Sequence, residues 1–122
     1  MRVLLVEDEP LVAMIAEEAL ASLGFETRCA RNGAEALAAM TDFRPTLAVV
    51  DIGLPDIRGD ELCRRLHIQD AGLSIIVASG YDEAELAARF QNDDKIAILP
   101  KPYTEGDLAR VARSLGFAVI EP

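Results

Sequence analysis

At 122 residues, 51% hydrophobic and 27% charged, the chain is long enough to bury a real core and leaves no room for a second domain. A net charge of −9 argues against nucleic-acid binding, which needs a basic face to neutralise phosphates. The longest apolar stretches are strand-sized, so none spans a bilayer, and the first strand starts too near Met1 to leave a signal peptide; a cytoplasmic location is expected.

Strand and helix signals alternate five times. The first strand, Val3 to Val6, runs into the acids Glu7 and Asp8. A helix opens near Pro10, a residue tolerated in a first turn, and sets Val12, Ile15, Ala16, Ala19, Leu20 and Leu23 on one face before Gly24 stops it. The second strand, about Glu26 to Ala30, is more polar and reads as an edge. Asn32 caps a second helix with Ala34, Leu37 and Ala38 inward. Pro45 precedes the third strand, Leu47 to Asp51. A third helix follows Gly59, with Leu62, Leu66 and Cys63 as its apolar stripe.

The fourth strand is Ser74 to Ser79, and Asp82 with Glu85 makes a capping-box-like start to a fourth helix. That helix is Ala-rich, with only Leu86 and Phe90 as large anchors, and should be the least firmly packed. The fifth strand is about Ile96 to Leu99. Thr104 caps a fifth helix that buries Leu108, Val111, Ala112 and Leu115 and ends at Gly116. The apolar tail Phe117 to Ile120 either packs on the domain or pairs with another chain as a homodimer. Near-continuous Val/Ile/Leu runs in strands one, three, four and five are expected of central parallel strands covered on both faces.

Alternating βα units with right-handed crossovers give an α/β doubly wound sheet of five parallel strands. The order 2-1-3-4-5 sets strands one and three side by side at the switch point, where such folds bind ligands. Glu7, Asp8, Asp51, Ser79 and Lys101 then meet on one sheet edge. Three acids, a hydroxyl and a lysine make a site for a divalent metal and a phosphoryl group. A carboxylate accepts a phosphoryl group only where the repulsion between two anions is cancelled, and Mg²⁺ with an ammonium supplies that cancellation. Elsewhere the readings are plain. Cys29 and Cys63 lack metal-ligand spacing and read as reduced core residues. His67 has no partner within a few residues and reads as a surface or helix-face residue. Arg64 and Arg65 read as a solvated helix face.

Four motifs carry a resemblance over almost the whole chain: Val6-Glu7-Asp8-Glu9, Asp51-Ile52-Gly53-Leu54-Pro55-Asp56 with Gly59, Ser79-Gly80, and Lys101-Pro102. Each is weak alone; in this order, each at the carboxyl end of a strand, they are specific. The chain resembles the receiver domain of two-component response regulators, a flavodoxin-like (βα)5 fold. The resemblance implies Asp51 as phosphoacceptor, Asp8 as a direct Mg²⁺ ligand and Glu7 as a ligand often acting through water, with the Gly53 carbonyl as a further ligand. It implies that Ser79 hydrogen-bonds a phosphoryl oxygen, that Lys101 pairs with Asp51 and the phosphoryl group, and that Lys101-Pro102 is cis. The implied partners are a histidine kinase or histidine phosphotransfer protein and a downstream protein target.

Most receivers carry Tyr or Phe where this chain has Ile98, and Ala where it has Gly80. It thus resembles a subgroup without the strand-five aromatic, in which the loop after Ser79 and the fourth helix are the moving parts. As a stand-alone receiver it would be a phosphoacceptor that catalyses its own phosphorylation and slow hydrolysis, not a metabolic enzyme. One alternative is an aspartyl-phosphate phosphatase or phosphotransferase of haloacid-dehalogenase type, which needs an acid where Gly53 stands. The other, a pseudo-receiver interaction module, is opposed by the complete set of site residues.

Overall fold

The structure, a computed structural model, describes residues 1–80, 85, 89–90 and 93–120. Among these, the elements run β1 (Arg2–Val6), α1 (Pro10–Ser22), β2 (Glu26–Ala30), α2 (Gly33–Asp42), β3 (Leu47–Asp51), α3 (Gly59–Gln69), β4 (Ser74–Ser79), β5 (Ile96–Pro100) and α4 (Glu105–Ser114). The helix expected from Asp82, with Leu86 as an anchor, lies outside the described residues. Phe90, its other expected anchor, packs on the core.

All five strands are parallel in the order β2-β1-β3-β4-β5, as the alternating pattern predicts. Successive strand side chains point to opposite faces, so the apolar runs feed two cores. Val3, Leu5, Val49, Ile76 and Leu99 face α1 and α4. Leu4, Val6, Val50, Ile75 and Val77 face α2 and α3. β1, β3 and β4 are buried on both sides beyond the exposed Arg2, which is what their continuous hydrophobicity required.

β5 differs from the expectation of a central strand. Among the described residues it has no neighbour beyond it in the sheet, and Ile96, Ala97 and Ile98 are only half-buried. Its apolar run packs Ala97 and Leu99 on the α1 and α4 side and does not mark a second strand neighbour.

One helix face is rotated from that expected, and another departs from it at one residue. In α1, Ala16, Leu20 and the following Leu23 are buried and Val12 and Ala19 half-buried, as expected, but Ala13 is buried in place of Ile15, which is 60% exposed. The first turns of α1 are apolar all round, so two stripes fit the sequence, and the small Ala13 and Ala16 allow the closer approach to the bulky strand side chains. In α2, Ala36, Ala39 and Met40 are buried, Leu37 is half-buried, and Ala34 and Ala38 face solvent. Alanine-rich sequence carries too little hydropathy contrast to choose between neighbouring stripes. α3 buries Leu62, Cys63 and Leu66 as predicted, and α4 buries Leu108, Val111 and Ala112, with Leu115 half-buried.

The caps explain where the helices begin. The Asn32 side chain accepts from the Glu35 N–H at 2.8 Å. Thr104 and Asp107 form a reciprocal capping box at 3.1 and 2.9 Å. The apolar tail packs on the domain. Phe117 meets Phe25 edge-on at 6.4 Å, and the Ile120 N–H donates to the Leu23 carbonyl at 2.9 Å.

His67 is tied in more firmly than its sequence neighbours suggested. Its Nε2 lies 2.8 Å from the Leu73 carbonyl and its Nδ1 3.6 Å from Asp93. Neither partner falls at a helical spacing from it. Arg64 and Arg65 pair with Glu61 on an exposed face, where such pairs contribute little. Both cysteines are free, and burial pushes the Cys63 thiol up to about 12.

Candidate active site at the carboxyl edge of the sheet

Register brings the site together. Val6 pairs with Val50, so Glu7 and Asp51 leave adjacent strands side by side. Asp51 pairs with Ala78, which places Ser79 one step beyond, and Ser79 pairs with Pro100, directly before Lys101. Backbone hydrogen bonds carry the ladder one residue past the strands: the Glu7 N–H donates to the Ala30 carbonyl at 2.9 Å and the Lys101 N–H to the Ser79 carbonyl at 2.8 Å. The Lys101-Pro102 peptide is cis, as the resemblance implied.

Buried strands hold these groups rigidly. Glu7 is 3% exposed, Asp51 9% and Ser79 1%. Lys101 Nζ reaches Glu7 Oε1 at 2.9 Å and Asp51 Oδ1 at 3.2 Å. The pairing with Asp51 was expected; the shorter one to Glu7 was not, because a sequence reading assigned Glu7 to metal alone. Asp51 Oδ1 also accepts from the Gly53 N–H at 3.2 Å, and Glu7 Oε2 from the Glu9 N–H at 3.3 Å.

Glu7, Asp8 and Asp51 each offer a carboxylate oxygen, and the three atoms lie within 4.8 Å of one another. Three carboxylates facing one ammonium leave the site with excess negative charge. An all-oxygen donor set of that charge, with Gly53 on the same cleft wall, fits a hard divalent cation. The cleft measures about 750 Å³ and continues from the acids past Val12 and Ile15 to Tyr103. Tyr103 escaped the sequence reading; its position two residues after Lys101 was the available signal.

The electrostatics follow from burial. Desolvation raises the Glu7 carboxyl above its ordinary value, and the negative charge of Asp51 adds to it, against the hydrogen bond from Lys101. Lys101 is desolvated too, which lowers it, but Glu7 and Asp51 together outweigh that and raise it. A carboxyl raised in the folded state stabilises the fold fully below its unfolded value and loses that contribution as pH rises through the folded one. Without metal, Glu7 is therefore expected to withdraw stability as pH climbs from 4.5 toward neutrality. Lys101 stays charged throughout this window. Thermal melts of Glu7→Gln should fall less steeply over the same range; an unchanged slope would refute the assignment.

Compared with known proteins, residues 3–113 match the response regulator receiver domain. The chain is 35% identical over 115 residues to the sensor kinase CckA of Brucella abortus, spanning 93% of this chain but 12% of that protein. It is 26% identical over 102 residues to sporulation initiation phosphotransferase F of Bacillus subtilis, spanning 84% and 82% of the two. A CheY-like receiver domain protein of Methanospirillum hungatei superposes with a TM-score of 0.82 at 30% identity, over 92% of this chain and 90% of that one. Match, fold and the meeting of four motifs on one sheet edge agree: the chain belongs to the response regulator receiver domains of two-component systems.

Proposed function

We propose that Asp51 takes a phosphoryl group from a histidine kinase or histidine phosphotransfer protein in a Mg²⁺-dependent reaction, and that the phosphoryl group switches binding of a downstream protein. The observation that carries this is Asp51 itself. It is buried at the end of β3, 3.2 Å from the Lys101 ammonium, with Glu7 and Asp8 oxygens close by. The P–N bond of a donor phosphohistidine breaks as a P–O bond to an Asp51 oxygen forms, and the donor imidazole keeps the electron pair. Lys101 is placed to follow the negative charge from carboxylate to phosphoryl oxygens, and Ser79 to hydrogen-bond one of them. Glu7, Asp8, Asp51 and the Gly53 carbonyl would hold Mg²⁺, which when bound would supply the remaining positive charge.

On this reading the chain is a signalling phosphoacceptor that catalyses only its own phosphorylation and hydrolysis. Similarity to a sensor kinase and to a phosphotransferase supports a place in phosphoryl relay. Among the described residues no helix is long and apolar enough to cross a membrane. A cytoplasmic site of action fits a phosphohistidine donor.

Incubation with a small phosphodonor and Mg²⁺ should add the mass of one phosphoryl group, and omission of Mg²⁺ should prevent it. Metal binding that favours the fold should also raise Tm by linkage. Asp8→Ala is expected to lose most of that Mg²⁺-dependent rise. A full rise in the variant would remove Asp8 from the ligand set.

A further inference from the structure

The loop that follows Asp51 is tied to a helix remote from it in sequence. Asp56 Oδ1 accepts from the Gly33 N–H at 2.9 Å and Oδ2 from the Ala34 N–H at 3.1 Å, so one carboxylate caps the first two N–H groups of α2. These bonds hold the Asp56 carboxyl below its ordinary value, the Gly33 N–H contributing most. Ile57 sits directly against Gly33, in space that a Cβ there would fill. At the loop's ends, a Cβ on Gly59 would lie 2.7 Å from Ile52 Cα, so the chain closes on itself just after Asp51.

The β2–α2 turn also holds the other acidic loop, because its Ala30 carbonyl accepts the Glu7 N–H at 2.9 Å. One short segment, Ala30 to Ala34, therefore braces both loops that carry the site: Glu7 through Ala30, and the Gly53 loop through Asp56. We propose that Asp56 is a positioning residue for the metal site, holding the Asp51–Gly59 loop on the α2 N-terminus so that the Gly53 carbonyl and Asp51 face Glu7 and Asp8. The proposal rests on the reading of that site as a Mg²⁺-dependent phosphoacceptor.

Loss of a partner that supports metal ligands commonly weakens affinity about tenfold or more. Asp56→Ala is accordingly expected to weaken Mg²⁺ binding about tenfold, read from calorimetry or from Tm against Mg²⁺ concentration. Its phosphorylation rate should fall at limiting Mg²⁺ and recover at saturating Mg²⁺. Asp56→Asn keeps one acceptor oxygen and should lie between.

The comparison is Asn32→Ala, which removes the other cap of the same helix but leaves the loop tied. It should lower Tm without metal and leave Mg²⁺ affinity unchanged. Equal Mg²⁺ affinity in Asp56→Ala and wild type, or equal weakening in Asp56→Ala and Asn32→Ala, would overturn the proposal, since capping alone would then explain the contact. If Asp56→Ala proves too unstable to titrate, Asp56→Asn against Asn32→Ala decides by the same criteria. A wild-type chain that takes neither Mg²⁺ nor phosphoryl group would instead overturn the reading of the site, and this proposal with it.

Discussion

Asp51→Asn is expected to abolish phosphoryl uptake while leaving the fold intact. The amide matches the carboxylate in shape and keeps an oxygen for the Gly53 N–H, which now bonds Asp51 Oδ1 at 3.2 Å. It is not an anionic nucleophile, so no acyl phosphate forms. The substitution also removes one of three clustered negative charges from a site with a single lysine. Tm without Mg²⁺ at neutral pH should therefore be no lower than wild type. Intact mass after phosphodonor treatment measures the first effect and a thermal melt the second. Uptake of one phosphoryl group at wild-type rate by Asp51→Asn would place the acceptor elsewhere.

Lys101→Ala should separate metal binding from phosphoryl transfer. Lys101 contacts both Glu7 and Asp51 and neutralises part of the charge that a cation would otherwise meet. Without the ammonium, the carboxylates present a stronger field to Mg²⁺, and affinity should stay the same or rise. Transfer should slow by about a hundredfold, as happens when one group stabilising developing charge is lost. Metal affinity and phosphorylation falling together would show that Lys101 acts mainly by holding the acids in place.

Much of the fold and of the candidate site is legible in the sequence. The β-strand runs, the cap at Asn32 and the four strand-end motifs rest on patterns local to a few residues, and the sheet order follows from the alternation of strands and helices along the whole chain. Because parallel strands end on one edge, local placement of Asp51, Ser79 and Lys101 was enough to bring them together. Where local contrast is weak, the sequence does not single out a face. The α2 stripe in an alanine-rich helix and the exposed Ile15 of α1 are both cases in which two faces satisfy the same hydropathy.

The sequence by itself determined that Glu7, Asp8, Asp51, Ser79 and Lys101 come to one edge of the sheet, since each sits at the end of a strand and needs only its neighbours to be placed. Only the tertiary structure decided several contacts: Lys101 with Glu7 at the site, Asp56 with the first N–H groups of α2, and, away from the site, His67 with the Leu73 carbonyl and Asp93. Most of these contacts join residues far apart in the chain, and the nearest, His67 to Leu73, spans a turn between elements. Their existence depends on loop geometry of a few ångströms, which no periodicity encodes.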